Sequence, residues 1–150
     1  MVRVDQRTES SVQFLDTARE LEIFTIKKCV RFPKRYARYF SDMLIRLSEE
    51  IYNDLCRANA TYLDSLSAFE QREHYVKSAE KNLRCLGSQL AVAKEIFDHI
   101  EKTDCEPKEK IPVCSSSAWV IWNKYILDEL RLLANLRRSD KDRKNKFITQ

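Results

Sequence analysis

One glycine and three prolines in 150 residues leave this chain little with which to turn. A sheet protein needs such residues at every hairpin, so the shortage argues against an all-β fold or a many-looped α/β fold. It also removes phosphate-cradling loops and dinucleotide fingerprints, which need two or three glycines for close backbone approach where only Gly87 exists. A G-x-S-x-G nucleophile elbow cannot be written either. Few long helices with few connections are what remains.

Other absences bound the setting. The five cysteines, Cys29, Cys56, Cys85, Cys105 and Cys114, are odd in number and form no C-x-x-C pair. No apolar run follows the start, where VRVDQRTESS is polar and mixed in charge. No stretch reaches the roughly 18 uninterrupted apolar residues of a membrane span. A cytoplasmic protein with reduced, largely buried thiols, and no association with membrane, is the expectation.

What is present suits a single globular domain over residues 1–150, with 43% apolar and 33% charged residues. The first helix is expected over about 10–31, from Val12, Leu15, Ala18, Leu21, Ile26 and Val30, with Thr8 or Ser10 as its cap. Pro33 stops or restarts the chain, because the residue before a proline is pushed out of the helical region. A second helix over about 34–62 follows from Tyr36, Phe40, Met43, Leu47, Ile51, Asp54/Leu55, Ala58 and Tyr62. The third, over about 67–102, carries the cleanest signal: Val76, Ala79, Leu83, Leu86, Leu90, Ala93, Phe97 and Ile100 alternate steps of three and four without a break. Gly87 lies inside it at a cost of about 1 kcal/mol against alanine, which points to close helix approach. The segment from Thr103 holds Pro107 and Pro112 and reads as a loop. One of Ser115, Ser116 and Ser117 then caps a fourth helix over about 115–138, with Trp119, Trp122, Ile126, Leu130 and Leu133 inward. Past Arg138 the period fails, and SDKDRKNKFITQ (139–150) reads as a frayed polar tail. The fold class is all-α, an antiparallel up-down four-helix bundle.

A bundle can hold two metal ions when facing helices offer Glu-x-x-His pairs. His74 and His99 are the only histidines, and Glu70 and Glu95 each lie four residues before them, so neither makes that pairing. No metal or other cofactor is expected. Cys29, Cys56 and Cys85 fall in helical stripes, and Glu49, Glu50, Asp54 and Arg57 read as a solvated, salt-bridged face. Nothing points to catalysis.

The basic residues are more informative because they are clustered. RFPKRYARYF (31–40) holds four cations, four aromatics and no acid. Residues 31–38 carry +4 and residues 137–146 another +4, so the remainder sums to −4 against a formal net charge of +4. Segregated positive charge is the footprint of a polyanion partner, through phosphate contacts and counterion release. The candidates are Arg35 and Arg38 at the first turn, and Arg131, Arg137, Arg138, Lys141, Arg143 and Lys144 on the last helix. In an up-down bundle these two clusters lie at opposite ends. Tyr36 and Phe40, at i and i+4, read as core, and Tyr39 as the aromatic left to stack on a base.

The order of these features resembles two related groups of small bacterial four-helix bundle proteins. Arg31-Phe32-Pro33-Lys34, followed by Tyr36 and Arg38-Tyr39, is similar to the start of large-subunit rRNA intervening-sequence proteins and of the accessory variability determinant proteins of diversity-generating retroelements. Leu55 to Ala60, LCRANA, is similar to an I-x-A-N pattern of the latter group, and Glu80 to Leu86, EKNLRCL, continues the likeness. The intervening-sequence group's I-P-x-N-I-A-E-G segment is missing, since residues 44–52 read LIRLSEEIY. The resemblance implies a basic homopentamer that associates with a reverse transcriptase and binds RNA or DNA. Such an oligomer supports mutagenic cDNA synthesis and has no catalytic residues of its own. The rival from another class is an oligomeric protein–protein adaptor bundle without nucleic-acid binding.

Overall fold

The computed structural model describes the backbone of residues 4–103 and 115–150, and the side chains of residues 12–99 and 115–150. Among these residues no strand occurs. Helix α1 is Val4–Cys29. Helix α2 occupies residues 34–60 in three consecutive parts: an α-helical turn Lys34–Tyr36, a π-helical stretch Ala37–Ser41, and an α-helix Asp42–Ala60. Helix α3 is Leu66–Thr103 and helix α4 is Ser116–Ile148. These four helices pack together, α1 against α2 and α4, and α3 against the same two.

The seam of α1 is buried Phe14, Ala18, Leu21, Thr25 and Cys29. Val12, Ile23 and Val30, expected inward or beside that face, are exposed, Val30 by 71%. The phase differs because Thr25, a polar residue, holds a core position. Its hydroxyl accepts the Trp122 Nε1–H at 2.9 Å, which satisfies two polar groups that burial would otherwise penalise. The chain is already helical at Val4, so Thr8 and Ser10 lie inside the helix.

Pro33 separates α1 from α2 in an extended conformation, with φ −54° and ψ 140°. The Ser41 hydroxyl donates to the Cys29 carbonyl at 3.1 Å and ties the π-helical stretch back to the end of α1. In that stretch the Asp42 N–H reaches the carbonyl of Ala37, five residues back, so the turn is wider than an α-turn. Inward positions therefore run in steps of four through Tyr36, Phe40, Leu44 and Ser48 before three-four spacing resumes at Ile51, Leu55 and Ala58. Met43 and Leu47, expected on the seam, are only half-buried beside it, and Tyr62 lies beyond the helix, 84% exposed.

Val76, Ala79, Leu83, Leu86, Leu90, Ala93 and Phe97 of α3 are all buried; Ile100 falls outside the described side chains. Phe97 anchors an aromatic cluster, with ring centroids 4.9 Å from Phe32, 5.3 Å from Tyr36, 5.6 Å from Phe40 and 6.5 Å from Trp119. Trp119 stacks on Trp122 at 5.5 Å. A Cβ built on Gly87 would stand 3.9 Å from Ile126, an ordinary contact, so the glycine is not required by helix approach. Ser115 is the cap of α4, its hydroxyl accepting from the Ala118 N–H at 3.3 Å.

Two features of α4 depart from the sequence pattern. The polar segment expected to fray continues as helix to Ile148. It has no apolar period to bury, and contacts to the first turns of α3 hold it instead: Arg72 to Asp140 at 2.7 Å, and Phe69 to Phe147 at 5.8 Å between ring centroids. Glu129, on the 122, 126, 129, 133 seam, is fully buried with neither carboxylate oxygen hydrogen-bonded. Of the cysteines, Cys29 is buried, Cys56 half-buried and Cys85 exposed, contrary to general burial. Cys105, Cys114, Pro107 and Pro112 lie outside the described residues.

Candidate nucleic-acid interface

The first basic cluster sits on the wide turn of α2. Tyr36 and Phe40 face Phe97, which leaves Arg35 and Arg38 exposed on the other side. The Arg35 guanidinium lies over the Tyr36 ring at 5.0 Å. Tyr39 is 69% exposed, with Arg31 and Lys34 exposed nearby in the chain. An aromatic face open to solvent among cations is what base stacking with phosphate contact requires.

The second cluster is at the far end of α3 and α4. Phe97 meets Trp119, whereas Glu80 meets Arg137, Arg72 meets Asp140 and Phe69 meets Phe147. Residue numbers thus rise along α4 as they fall along α3, and the two basic clusters are separated by most of the length of α4. The structure brings Arg137, Arg138, Lys141 and Lys144 together around an open cleft of about 630 Å³, with Phe69 and Ile148 as apolar wall. Arg131 and Arg143 are exposed on the same helix.

These cations are not equivalent. Arg137 donates to Glu80 at 2.8 Å, and Lys144 is 4.0 Å from Glu70. Both are committed to α3, although each also faces the cleft. Arg131, Arg138 and Lys141 make no ion pair among the described residues. Glu73, also on the cleft, has its carboxyl held below the ordinary range by a hydrogen bond from Lys77, with Lys144 and Arg137 adding to the pull. Burial raises the Asp140 carboxyl, against the opposing pull of Arg72 and Arg143.

Sequence reasoning missed the α3 side of this cleft. Glu70, Arg72 and Glu80 read as an ordinary charged face of α3, and only the path of α4 gives them partners, whereas Glu73 pairs with Lys77 on α3 itself at 3.0 Å. Glu129 was missed too, although its place in the three-four spacing between Ile126 and Leu133 is visible in the sequence. Burial pushes its carboxyl up to about 9, so it is neutral at pH 7. Among the described residues, no group of three or more histidines, cysteines or acids is placed to hold a metal ion. No helix among them is long and apolar enough to cross a membrane.

No family model, curated protein or solved structure matches this chain.

Proposed function

We propose that this chain is a non-enzymatic, nucleic-acid-binding accessory protein of a diversity-generating retroelement. In this reading it works in the cytoplasm as a homo-oligomer, a pentamer by the family likeness. It associates with the element's reverse transcriptase to support mutagenic cDNA synthesis, and its helices run up-down in an antiparallel bundle. The observation that carries the reading is the set of exposed, uncommitted cations Arg131, Arg138 and Lys141 along one helix. Phosphates supply the matching charge. Arg143 extends the set, and Arg35, Arg38 and Tyr39 form a second contact at the other end. An oligomer would be the means of presenting both ends to one nucleic acid.

The test is size-exclusion chromatography with light scattering, with and without a structured RNA, across a salt series. The expected result is an oligomer that retains RNA at low salt and releases it as salt rises. Glutamine at 131, 138 and 141 should weaken binding across unrelated sequences and flatten the logarithmic salt slope by about 1 per cation removed. A chain that ignores RNA at every salt overturns the reading.

A further inference from the structure

The outward side of α4 carries a second seam that the bundle does not use. Val120, Lys124, Leu127, Arg131, Ala134, Arg138 and Lys141 follow one another in steps of four and three, and all are exposed. Val120 is 68% and Leu127 66% exposed, unusual values for residues repeating at seven. Apolar and basic positions alternate from Val120 to Arg138, with valine, leucine and alanine at every seventh residue and a cation between each pair, and Lys141 adds a further cation at the end. The seam holds no acid; Asp128, one step round from Leu127, is half-buried, and Asp142, one step round from Lys141 at the end of the row, is exposed. At 1.5 Å per residue the row is about 30 Å long. Its lower part, Ala134, Arg138 and Lys141, opens into the cleft at the start of α3.

A nucleic acid alone does not account for this pattern. Phosphates would be met by the cations, but a leucine and a valine in that row offer them nothing. Three-four spacing is the register in which one helix receives another, with apolar side chains interlocking and charges flanking the contact. The charge on the row selects the occupant. A second copy of the same row would set Lys124, Arg131 and Arg138 against like charges, which opposes self-pairing through this face. An acidic helix would meet each cation with a carboxylate and cover Val120 and Leu127 at once.

We infer that the outward face of α4 between Val120 and Lys141 is the docking surface for an acidic amphipathic helix of a partner protein. It recognises apolar residues at seven-residue spacing flanked by glutamate or aspartate. This inference goes beyond nucleic-acid binding and does not depend on it, because its apolar half is inert toward phosphate; Arg131, Arg138 and Lys141 are common to both surfaces, so the helix and a nucleic acid compete for them.

The probe is a fluorescein-labelled synthetic helix with leucine at its seam and glutamate on both flanks, and the readout is fluorescence anisotropy against the whole chain. A matching peptide with serine for leucine is the control. The paired variant Val120→Ser with Leu127→Ser keeps every cation and alters only exposed side chains, with circular dichroism to check the fold. Expected are binding of the leucine peptide that weakens with salt, a loss of about tenfold or more in the paired variant, and unchanged RNA retention by that variant. Equal binding of the serine peptide, or unaltered binding by the variant, overturns the inference in favour of charge alone. No binding at low salt also overturns it. So does a wild-type oligomer that the variant dissociates, which would assign the face to a second copy, or RNA retention lost with the two serines.

Discussion

Replacing Glu129 by leucine should stabilise the bundle by an amount that grows with pH. In the folded chain burial raises its carboxyl to about 9 from an ordinary 4.5, with neither oxygen hydrogen-bonded. The folded state therefore keeps a proton that the unfolded state releases, and stability falls as pH rises between those two values. Each pH unit in that window costs about 1.4 kcal/mol, so at pH 7 holding the proton costs roughly 3 kcal/mol. Leucine has nothing to protonate and suits a position between Ile126 and Leu133. The difference between variant and wild type should then grow by about 3 kcal/mol from pH 4.5 to pH 7, and further by pH 8.5. Urea denaturation followed by fluorescence of the buried Trp119 and Trp122 reads this directly. With a slope of about 2 kcal/mol per molar urea, the gap between the two midpoints should widen by about 1.5 M from pH 4.5 to pH 7. Asp140 and Glu22 are also raised by burial and give the wild type the same sign of drift, so the comparison rests on the variant difference and not on the wild-type curve. A difference that stays constant from pH 5 to pH 8.5 would refute the buried-proton argument.

Three further outcomes are expected. Gly87→Ala should raise stability by about 1 kcal/mol, since the helix gains propensity and the new methyl meets Ile126 at an ordinary distance; a drop in melting temperature would contradict that spacing. Thr25→Val keeps the shape but leaves the buried Trp122 N–H without its acceptor, at a cost of about 1–3 kcal/mol in chemical denaturation. Arg72→Ala should release the end of α4, seen as faster hydrogen exchange over 139–148 while the amides around Leu83 and Leu86 stay protected. Uniform exchange across both regions would show that the segment does not open separately.

The helices were legible to different degrees, for reasons that can be located. In α3 every seam position is apolar, so spacing alone identified the buried face. In α1 the seam passes through Thr25, and nothing local marks a threonine as core; its reason is Trp122, distant in sequence. In α2 the seam steps by four because the turn at Ala37–Ser41 is wide, and a reading at constant period drifts onto Met43 and Leu47. The end of α4 shows no period because charges hold it, and those charges sit on another helix. The cations of the candidate interface were legible as a cluster. Which of them are committed to carboxylates was not, because that depends on how α3 and α4 meet.

The contacts that fasten the last turns of α4 have a thermodynamic consequence. Arg72 to Asp140, Arg137 to Glu80 and Lys144 to Glu70 are ion pairs, and only Phe69 with Phe147 adds an apolar ring contact. Salt that screens a phosphate ligand also screens the more exposed part of this fastening, Lys144 with Glu70 and Arg137 with Glu80, whereas the largely buried Arg72–Asp140 pair is screened much less. Any salt slope measured for ligand binding thus combines two equilibria, release of ions from the ligand and detachment of the helix end that presents Arg138 and Lys141. Counting phosphates from the slope of the wild type alone would overstate them, and a chain whose last turns are cross-linked to α3 would give the smaller number.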